Sequence, residues 1–444
     1  DTYKHEASHQ DDHARTERER WGIDPARVAG ATMTDTPTHQ SPPRHVEQLI
    51  LHGMTFASES VAPLGARLSL ITGDNSTGKS VVLDALWWAL TASWLHGRPV
   101  LPDRAVNGKA KIGLRFSDGV DHHARFDPKQ EAWQRPEGWT PTDAVVVYAR
   151  IDGGFSIFDP LRGVTIHLTT EEVFEGQQLD GAKSCNGLIA DLPQWQSRLR
   201  RLHDAMNAVL AHLSPDGEPL ALGDVVRVSI RDSRDFPTVK LPYGDVPVTQ
   251  VSAAVRRILG LAYVLLWAWH EHQEAAHLTQ EKTARSVVLL ADEIESHLHP
   301  EWQRRILRGL LNAVEAVAPS ASVQAVIVTH APLVVASAEA VFDPTRDKLL
   351  HLALRDGRVF FEDLPFEKEG DASAWLTSPA FGLATSRSIE AERAVTRAIA
   401  LLGTSPISPD VLRTQHSELV RVLAPTDPFF VRWVRHLRQH GIEP

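Results

Sequence analysis

Gly73-Asp74-Asn75-Ser76-Thr77-Gly78-Lys79-Ser80 is the stretch whose reading decides the fold. It matches G-x-x-x-x-G-K-[ST], a loop that requires a strand before it and a helix behind it. Both are legible: Arg67 to Thr72 reads as a strand, and Ser80 to Leu90 as a helix. Glycines let the backbone pass close to phosphate, and successive N–H groups of such a loop face the anion. The helix that follows aims its positive dipole end at the same place. In this chemistry Lys79 neutralises β- and γ-phosphates, Ser80 ligates Mg²⁺, and the loop with Val81 forms the rest of the nucleotide cradle.

A second stretch, Val287-Val288-Leu289-Leu290-Ala291-Asp292-Glu293, is an apolar strand ending in two acids. Asp292 is placed to hold the Mg²⁺ shell, so the expected metal set is Ser80 and Asp292. Glu293 is placed to activate the attacking water. Either motif alone could arise by chance. Together they point to ATP hydrolysis with Mg²⁺.

Composition bounds the rest. The chain has 444 residues, 43% of them hydrophobic, which supplies a sizeable core and suggests two or three domains or one large α/β domain with insertions. A net charge of −10 argues against a surface basic all over, though not against local basic patches. The single cysteine, Cys185, excludes an intramolecular disulfide and a cysteine-based zinc site, and fits a reducing cytoplasm. The most apolar run, Ile258 to Trp269, is too short to span a bilayer and reads as a buried helix. No signal peptide or membrane partner is expected.

Five regions are expected. Residues 1–44 are polar and read as a disordered or loosely attached leader, within which Met33 is a candidate native start. Residues 45–168 hold the phosphate loop and an antiparallel β layer built from Lys111–Phe116, Asp121–Phe126, Ala144–Arg150 and Phe155–Phe158. Residues 169–224 form a helical insertion with Arg198 to Arg201 on its longest helix. At ~1.5 Å per helical residue it makes only a short protrusion, not a coiled-coil arm. Residues 225–368 resume with strands at Val225–Ile230 and Thr238–Leu241. A long helix from Ser252 to Trp269 and the acidic strand come next, then a helix from Glu301 to Val317 and a strand from Gln324 to Thr329. Residues 369–444 read as helical and amphipathic. The tryptophans, among them Trp87, Trp88, Trp267 and Trp269, are expected in the core. Arg198, Arg200 and Arg201, like Arg432, Arg435 and Arg438, form either a solvated helix face or a nucleic-acid contact.

The wide gap between Ser80 and Asp292, filled by a β layer and a helical insertion, resembles the layout of ABC-type ATPases. Asp292-Glu293-Ile294-Glu295-Ser296-His297-Leu298-His299-Pro300 continues the acidic strand into a D-loop, and Thr329-His330 ends the next strand. These residues are similar to those of the soluble ABC ATPases of the RecF, SMC and OLD groups. The closer resemblance is to bacterial ATPases carrying D-E-I-E-x-H-L-H-P and then I-V-T-H-x-P-L-V, here Asp292–Pro300 and Ile327–Val334. Ser252-Ala253-Ala254-Val255-Arg256-Arg257 resembles their signature helix. Trp375 to Leu383 and Ser386 to Glu390 also resemble that set.

The resemblance implies an α/β fold: an ABC-type P-loop ATPase head with a mixed sheet flanked by helices and an antiparallel β layer, plus a short helical insertion and a helical C-terminal region. It implies His330 as the γ-phosphate switch and Ser252 as a contact to the nucleotide of a second copy. It also implies a homodimer or higher homo-oligomer formed through ATPase heads. Many relatives are ATPase subunits of Septu-type anti-phage systems acting with a separate nuclease. This implies a separate effector, nuclease or toxin, with DNA or RNA as a further partner. The alternative is a RecF-like DNA-binding ATPase of repair or maintenance; a transporter subunit is disfavoured by the missing L-S-G-G-Q sequence. Ala254 stands where the signature glycine would be, and its methyl would crowd the γ-phosphate, which implies slow hydrolysis or an ATP sensor. No Q-loop glutamine is assigned, although Tyr148-Ala149-Arg150 lies near the expected strand. No nuclease centre is apparent, and His297 and His299 read as D-loop and helix-start residues rather than metal ligands.

Overall fold

The computed structural model describes residues 43–54, 60–74, 77–103, 109–179, 181–403 and 406–443. The expected leader through residue 42, and Asn75 and Ser76 of the phosphate loop, lie outside the described residues.

An antiparallel sheet is built from β1 (Val46–His52), β2 (Ser60–Pro63), β4 (Lys111–Phe116), β5 (Asp121–Asp127) and β6 (Ala132–Gln134), in the order β2-β1-β4-β5-β6. The larger sheet holds β3 (Leu68–Gly73), β7 (Val145–Ala149), β8 (Phe155–Asp159), β9 (Val164–Leu168), β15 (Ser286–Asp292), β16 (Ser322–Val328), β17 (Asp347–Arg355) and β18 (Arg358–Leu364). Its order is β18-β17-β3-β16-β15-β7-β8-β9. From β17 to β7 neighbouring strands run parallel; β18 at one end, and β8 and β9 at the other, are antiparallel additions. Smaller pieces are the hairpin β10 (Gln177–Leu179) and β11 (Ala182–Cys185), and the sheet β12 (Ala221–Leu222), β13 (Thr238–Leu241) and β14 (Gly244–Pro247).

The parallel strands are covered on both faces, so they read as continuous apolar runs. Alternation still sorts their side chains. Leu68, Leu70, Val145, Val147, Leu289 and Ala291 enter one core with the helix Ala253–Thr279. Ile71, Val146, Tyr148, Val288 and Leu290 enter the other, with the helix Lys79–Thr91 and the antiparallel sheet. Trp87 and Trp88 belong to the second core, and Trp267 and Trp269 to the first. Burying each such aliphatic side chain contributes ~1.5–3 kcal/mol.

The insertion packs on the first core. Its capping box, Thr169 with Glu172, starts the short helix Thr170–Glu175. The helix Arg200–Leu213 lies so close to the helix Pro300–Val317 that a Cβ on Gly309 would stand 2.3 Å from the His212 carbonyl oxygen. A buried polar chain ties the insertion to the helix Ala253–Thr279: Tyr263 donates to Asp191 at 2.8 Å, with Cys185 Sγ 3.4 Å from the Tyr263 hydroxyl. Burial pushes the Cys185 thiol up to about 11, so it is not a nucleophile at neutral pH.

Several expectations need correction. Ala144–Arg150 and Phe155–Phe158 do not join the antiparallel layer; they form β7 and β8 of the larger sheet, β7 lying parallel to β15. Both layers are rich in β-branched and aromatic residues, so composition cannot assign the sheet. The insertion is not wholly helical, since β10 and β11 interrupt it. Arg198 to Arg201 bridge two helices, Leu188–Ser197 and Arg200–Leu213, instead of lying on one. Val225–Ile230 is no strand; a lone bridge joins Val226 to Phe236. The helix expected to end at Trp269 continues to Thr279, because His272 and Ala276 keep its buried stripe going after the apolar run stops. Strands β17 and β18 were not anticipated.

Candidate functional site

Parallel register brings three strand ends to one edge. Val328 of β16 is opposite both Asp292 of β15 and Ile71 of β3. In open α/β sheets, ligands bind at this carboxyl edge. Gly73 ends β3 with φ 148°, and a Cβ there would meet Leu352 Cβ at 2.8 Å and Leu352 O at 2.9 Å. Gly78, with φ 86°, turns the chain into the helix Lys79–Thr91. Thr77 Oγ1 donates to the Asp74 carbonyl at 2.8 Å. Lys79 is folded back over the loop, its Nζ donating to Gly73 O at 2.8 Å and Asp74 O at 2.6 Å. Ser80, with Val81 behind it, opens the helix, and its Oγ donates to Asp292 Oδ2 at 2.7 Å.

Glu293 has φ 49°, a left-handed backbone unusual for a residue with a side chain. Its N–H still donates to Val328 O at 3.0 Å, so the chain stays tied to β16 while the side chain turns aside. Glu293 Oε1 lies 3.2 Å from His330 Nε2. Burial, then the charge of Lys79, holds the His330 pKa below the usual histidine value. A neutral ring protonated at Nε2 can donate this contact as a hydrogen bond to Glu293. Burial also lowers the Lys79 pKa, offset by Glu293 and Asp292, and raises that of Asp292, offset by the Ser80 hydroxyl. One sheet edge thus gathers several charged groups whose burial and mutual attraction oppose each other.

Two features escaped the sequence reading. Glu295 is 7% exposed and accepts from Thr329 Oγ1 at 2.6 Å and His330 N at 3.0 Å. It clamps the turn after β15 to the end of β16, fixing Glu293 against His330. The signal was present as the second acid of Asp292-Glu293-Ile294-Glu295. The other feature is Asp84, one helical turn beyond Ser80, which accepts from the Tyr148 hydroxyl at 3.1 Å. Ser80, Asp84, Tyr148, Arg150, Asp152 and Asp292 line one cavity of ≈ 640 Å³. Arg150 is occupied with the turn between β7 and β8, donating to Asp152, Ser156 and the Phe155 and Leu168 carbonyls.

Lys79, Ser80, Asp292, Glu293 and His330 are brought together. Ser252 makes no hydrogen bond to them among the described residues. It is the exposed N-cap of the helix Ala253–Thr279, its side chain accepting from Val255 N at 3.3 Å. Ala254 is partly buried on the following turn. His299 caps the helix Pro300–Val317, and His297 sits in a left-handed turn at φ 68°. Among the described residues no cluster of three or more His, Cys, Asp or Glu side chains is arranged to hold a metal. Among them, too, no helix is long and apolar enough to cross a membrane.

The donor set fits a phosphate-bound Mg²⁺. Such an ion takes only a few protein oxygens, with phosphate and water completing its shell. Ser80 Oγ and Asp292 Oδ2 are hard oxygen donors already converged at the loop's mouth.

Fold and site together are those of an α/β P-loop nucleotide-binding head, with the phosphate loop, the acidic strand end and a strand-end histidine on one sheet edge. A family model described as "AAA domain, putative AbiEii toxin, Type IV TA system" matches residues 177–336. Among solved structures, the chain is similar to the Smc head bound to the C-winged helix domain of ScpA, at 16% identity and TM-score 0.45, over 73% of this chain and 99% of that one. It is similar to the SMC head domain from Thermotoga maritima at 15% identity and TM-score 0.37, over 72% of this chain and 99% of that one. The recombination mediator protein RecF shows 12% identity and TM-score 0.37, over 73% of this chain and 99% of that one.

Proposed function

We propose that this chain is a nucleotide-driven switch: an ATPase whose heads pair around ATP and whose output is delivered by another protein. The observation that carries the hydrolytic reading is the convergence of Lys79, Ser80, Asp292, Glu293 and His330 at one sheet edge. Lys79 leaves its loop carbonyls to pair with β- and γ-phosphate oxygens, and the loop N–H groups from Gly73 to Val81 cradle the same phosphates. Ser80 and Asp292 hold Mg²⁺, which when bound supplies charge neutralisation at the β- and γ-oxygens. Glu293 takes a proton from the attacking water. His330, neutral and held by Glu295, donates to the terminal phosphate and reports its presence. Ser252 serves a second copy's site, for which its position at an exposed helix N-terminus leaves it accessible.

The biological output proposed is anti-phage defence, with this chain controlling a separate nuclease or toxic effector. Support comes from the Asp292–Pro300 and Ile327–Val334 motifs and from the toxin–antitoxin description of the matching family. Phage plating on cells carrying the gene with its native neighbours tests this. Protection that disappears with Lys79→Ala is expected. Unchanged plating, together with ATP-strengthened, salt-sensitive duplex binding by the isolated protein, would support the DNA-maintenance reading instead.

A further inference from the structure

Asp84 has no part in the motif chemistry above, yet it faces the same cavity as Ser80 and Asp292. Four residues separate it from Ser80, so the two share a helix face. Tyr148, at the end of β7, is buried and aims its hydroxyl at Asp84 Oδ1. That hydrogen bond fixes the carboxylate from a different strand, which a solvated helix-surface acid would not need. Tyr148 also begins the segment Tyr148-Ala149-Arg150, where the sequence offered no glutamine to reach the metal.

We propose that Asp84, oriented by Tyr148, accepts a hydrogen bond from a water of the Mg²⁺ shell held by Ser80 and Asp292, and so acts as a positioning residue for the ion. This rests on the ATPase reading of the site. Outer-shell partners orient what the direct ligands hold, and their loss commonly costs ~10–100-fold in metal affinity. The electrostatics agree with the geometry. Asp292 is buried and Asp84 half-buried, and each loses part of the charged form's solvation. A divalent ion between phosphate and these carboxylates relieves both.

The test is a titration of MgCl₂ against fluorescent ATP-analogue binding, paired with the same affinity measured in EDTA. For Asp84→Asn we expect the half-saturating Mg²⁺ concentration to rise about tenfold, with the EDTA affinity unchanged. Asp84→Glu should recover part of the shift, and Tyr148→Phe should move it in the same direction by less. An unchanged Mg²⁺ midpoint in both Asp84→Asn and Tyr148→Phe overturns the inference. So does an equal loss of affinity with and without Mg²⁺, which would mark a structural role only. If Asp84→Asn does not fold, the Tyr148→Phe midpoint decides alone. Lys79→Ala separates the two levels: if it leaves analogue binding intact, the ATPase reading itself fails. If it abolishes binding while Asp84 and Tyr148 variants keep the wild-type midpoint, only this inference falls.

Discussion

Glu293 is held in a backbone conformation that costs a non-glycine residue ~1–3 kcal/mol, and it is anchored there by Val328 and faced by His330. The carboxylate is therefore placed by the fold rather than by its own preference. Glu293→Gln keeps the shape and the left-handed turn but removes the base. Turnover should fall ~10²–10⁴-fold with ATP affinity within a few-fold of wild type. Single-turnover hydrolysis beside calorimetric binding checks this; turnover near wild type removes Glu293 from the base role. Asp84 makes a second prediction. Burial pushes its carboxyl up to about 6, against 3.8 for a free aspartate, with the Tyr148 hydrogen bond only partly opposing. Between those values the folded state binds more protons than the unfolded one, so Asp84's contribution is complete below pH 4 and is lost as pH rises through about 6. Asp84→Asn should therefore stabilise the ligand-free protein more at pH 7.5 than at pH 5, by ~1–1.5 kcal/mol. Denaturant melts at the two pH values measure it, and an equal effect at both contradicts the assignment.

Among elements, the contact of helix Arg200–Leu213 with helix Pro300–Val317 is the tightest to argue from. A methyl at Gly309 would fall 2.3 Å from the His212 carbonyl. Alanine is the better helix former by ~1 kcal/mol, but the overlap forces the helices apart, at ~1–3 kcal/mol. Gly309→Val should lower the melting temperature further than Gly309→Ala; a stabilised Gly309→Ala would mean the insertion yields freely. Legibility in the sequence followed the same division between local and long-range causes. The phosphate loop and acidic strand were readable because their spacing encodes the turn, the helix dipole and the strand edge within a few residues. The helices Lys79–Thr91 and Pro300–Val317 were readable by period. The sheet partner of Val145–Ala149 was not, because pairing with β15 is set by chain folding across a long insertion. Asp84 was passed over because a lone acid on an apolar helix looks solvated until Tyr148 is seen opposite it. Glu295 looked like one more loop acid until Thr329 came within 2.6 Å.

For the whole molecule, the exposure of Ser252 at a helix start makes the pairing of heads testable. Ser252→Arg puts a bulky cation at the exposed helix start and removes a cap, so ~0.5–2 kcal/mol of stability goes with it and a melting curve must accompany the assay. ATP binding should persist while hydrolysis and ATP-dependent association disappear. Mixing Ser252→Arg with Lys79→Ala subunits regenerates one composite site with both native halves, and activity should partly return. A monomeric Ser252→Arg protein with full turnover would exclude the pairing of heads around ATP.

The helices Ile389–Leu402, Pro409–Val422 and Phe429–Gln439 close around Trp433, Leu412, Leu419 and Leu437, a core separate from the two that flank the large sheet. Arg387 and Asp427 latch this bundle to itself at its entry. Cooperativity follows shared cores, so the bundle should open and close as its own unit while the nucleotide edge stays intact. Amide hydrogens of these helices would then exchange at a common rate that bound nucleotide does not slow. Substitutions on the C-terminal surface should accordingly leave the nucleotide edge undisturbed.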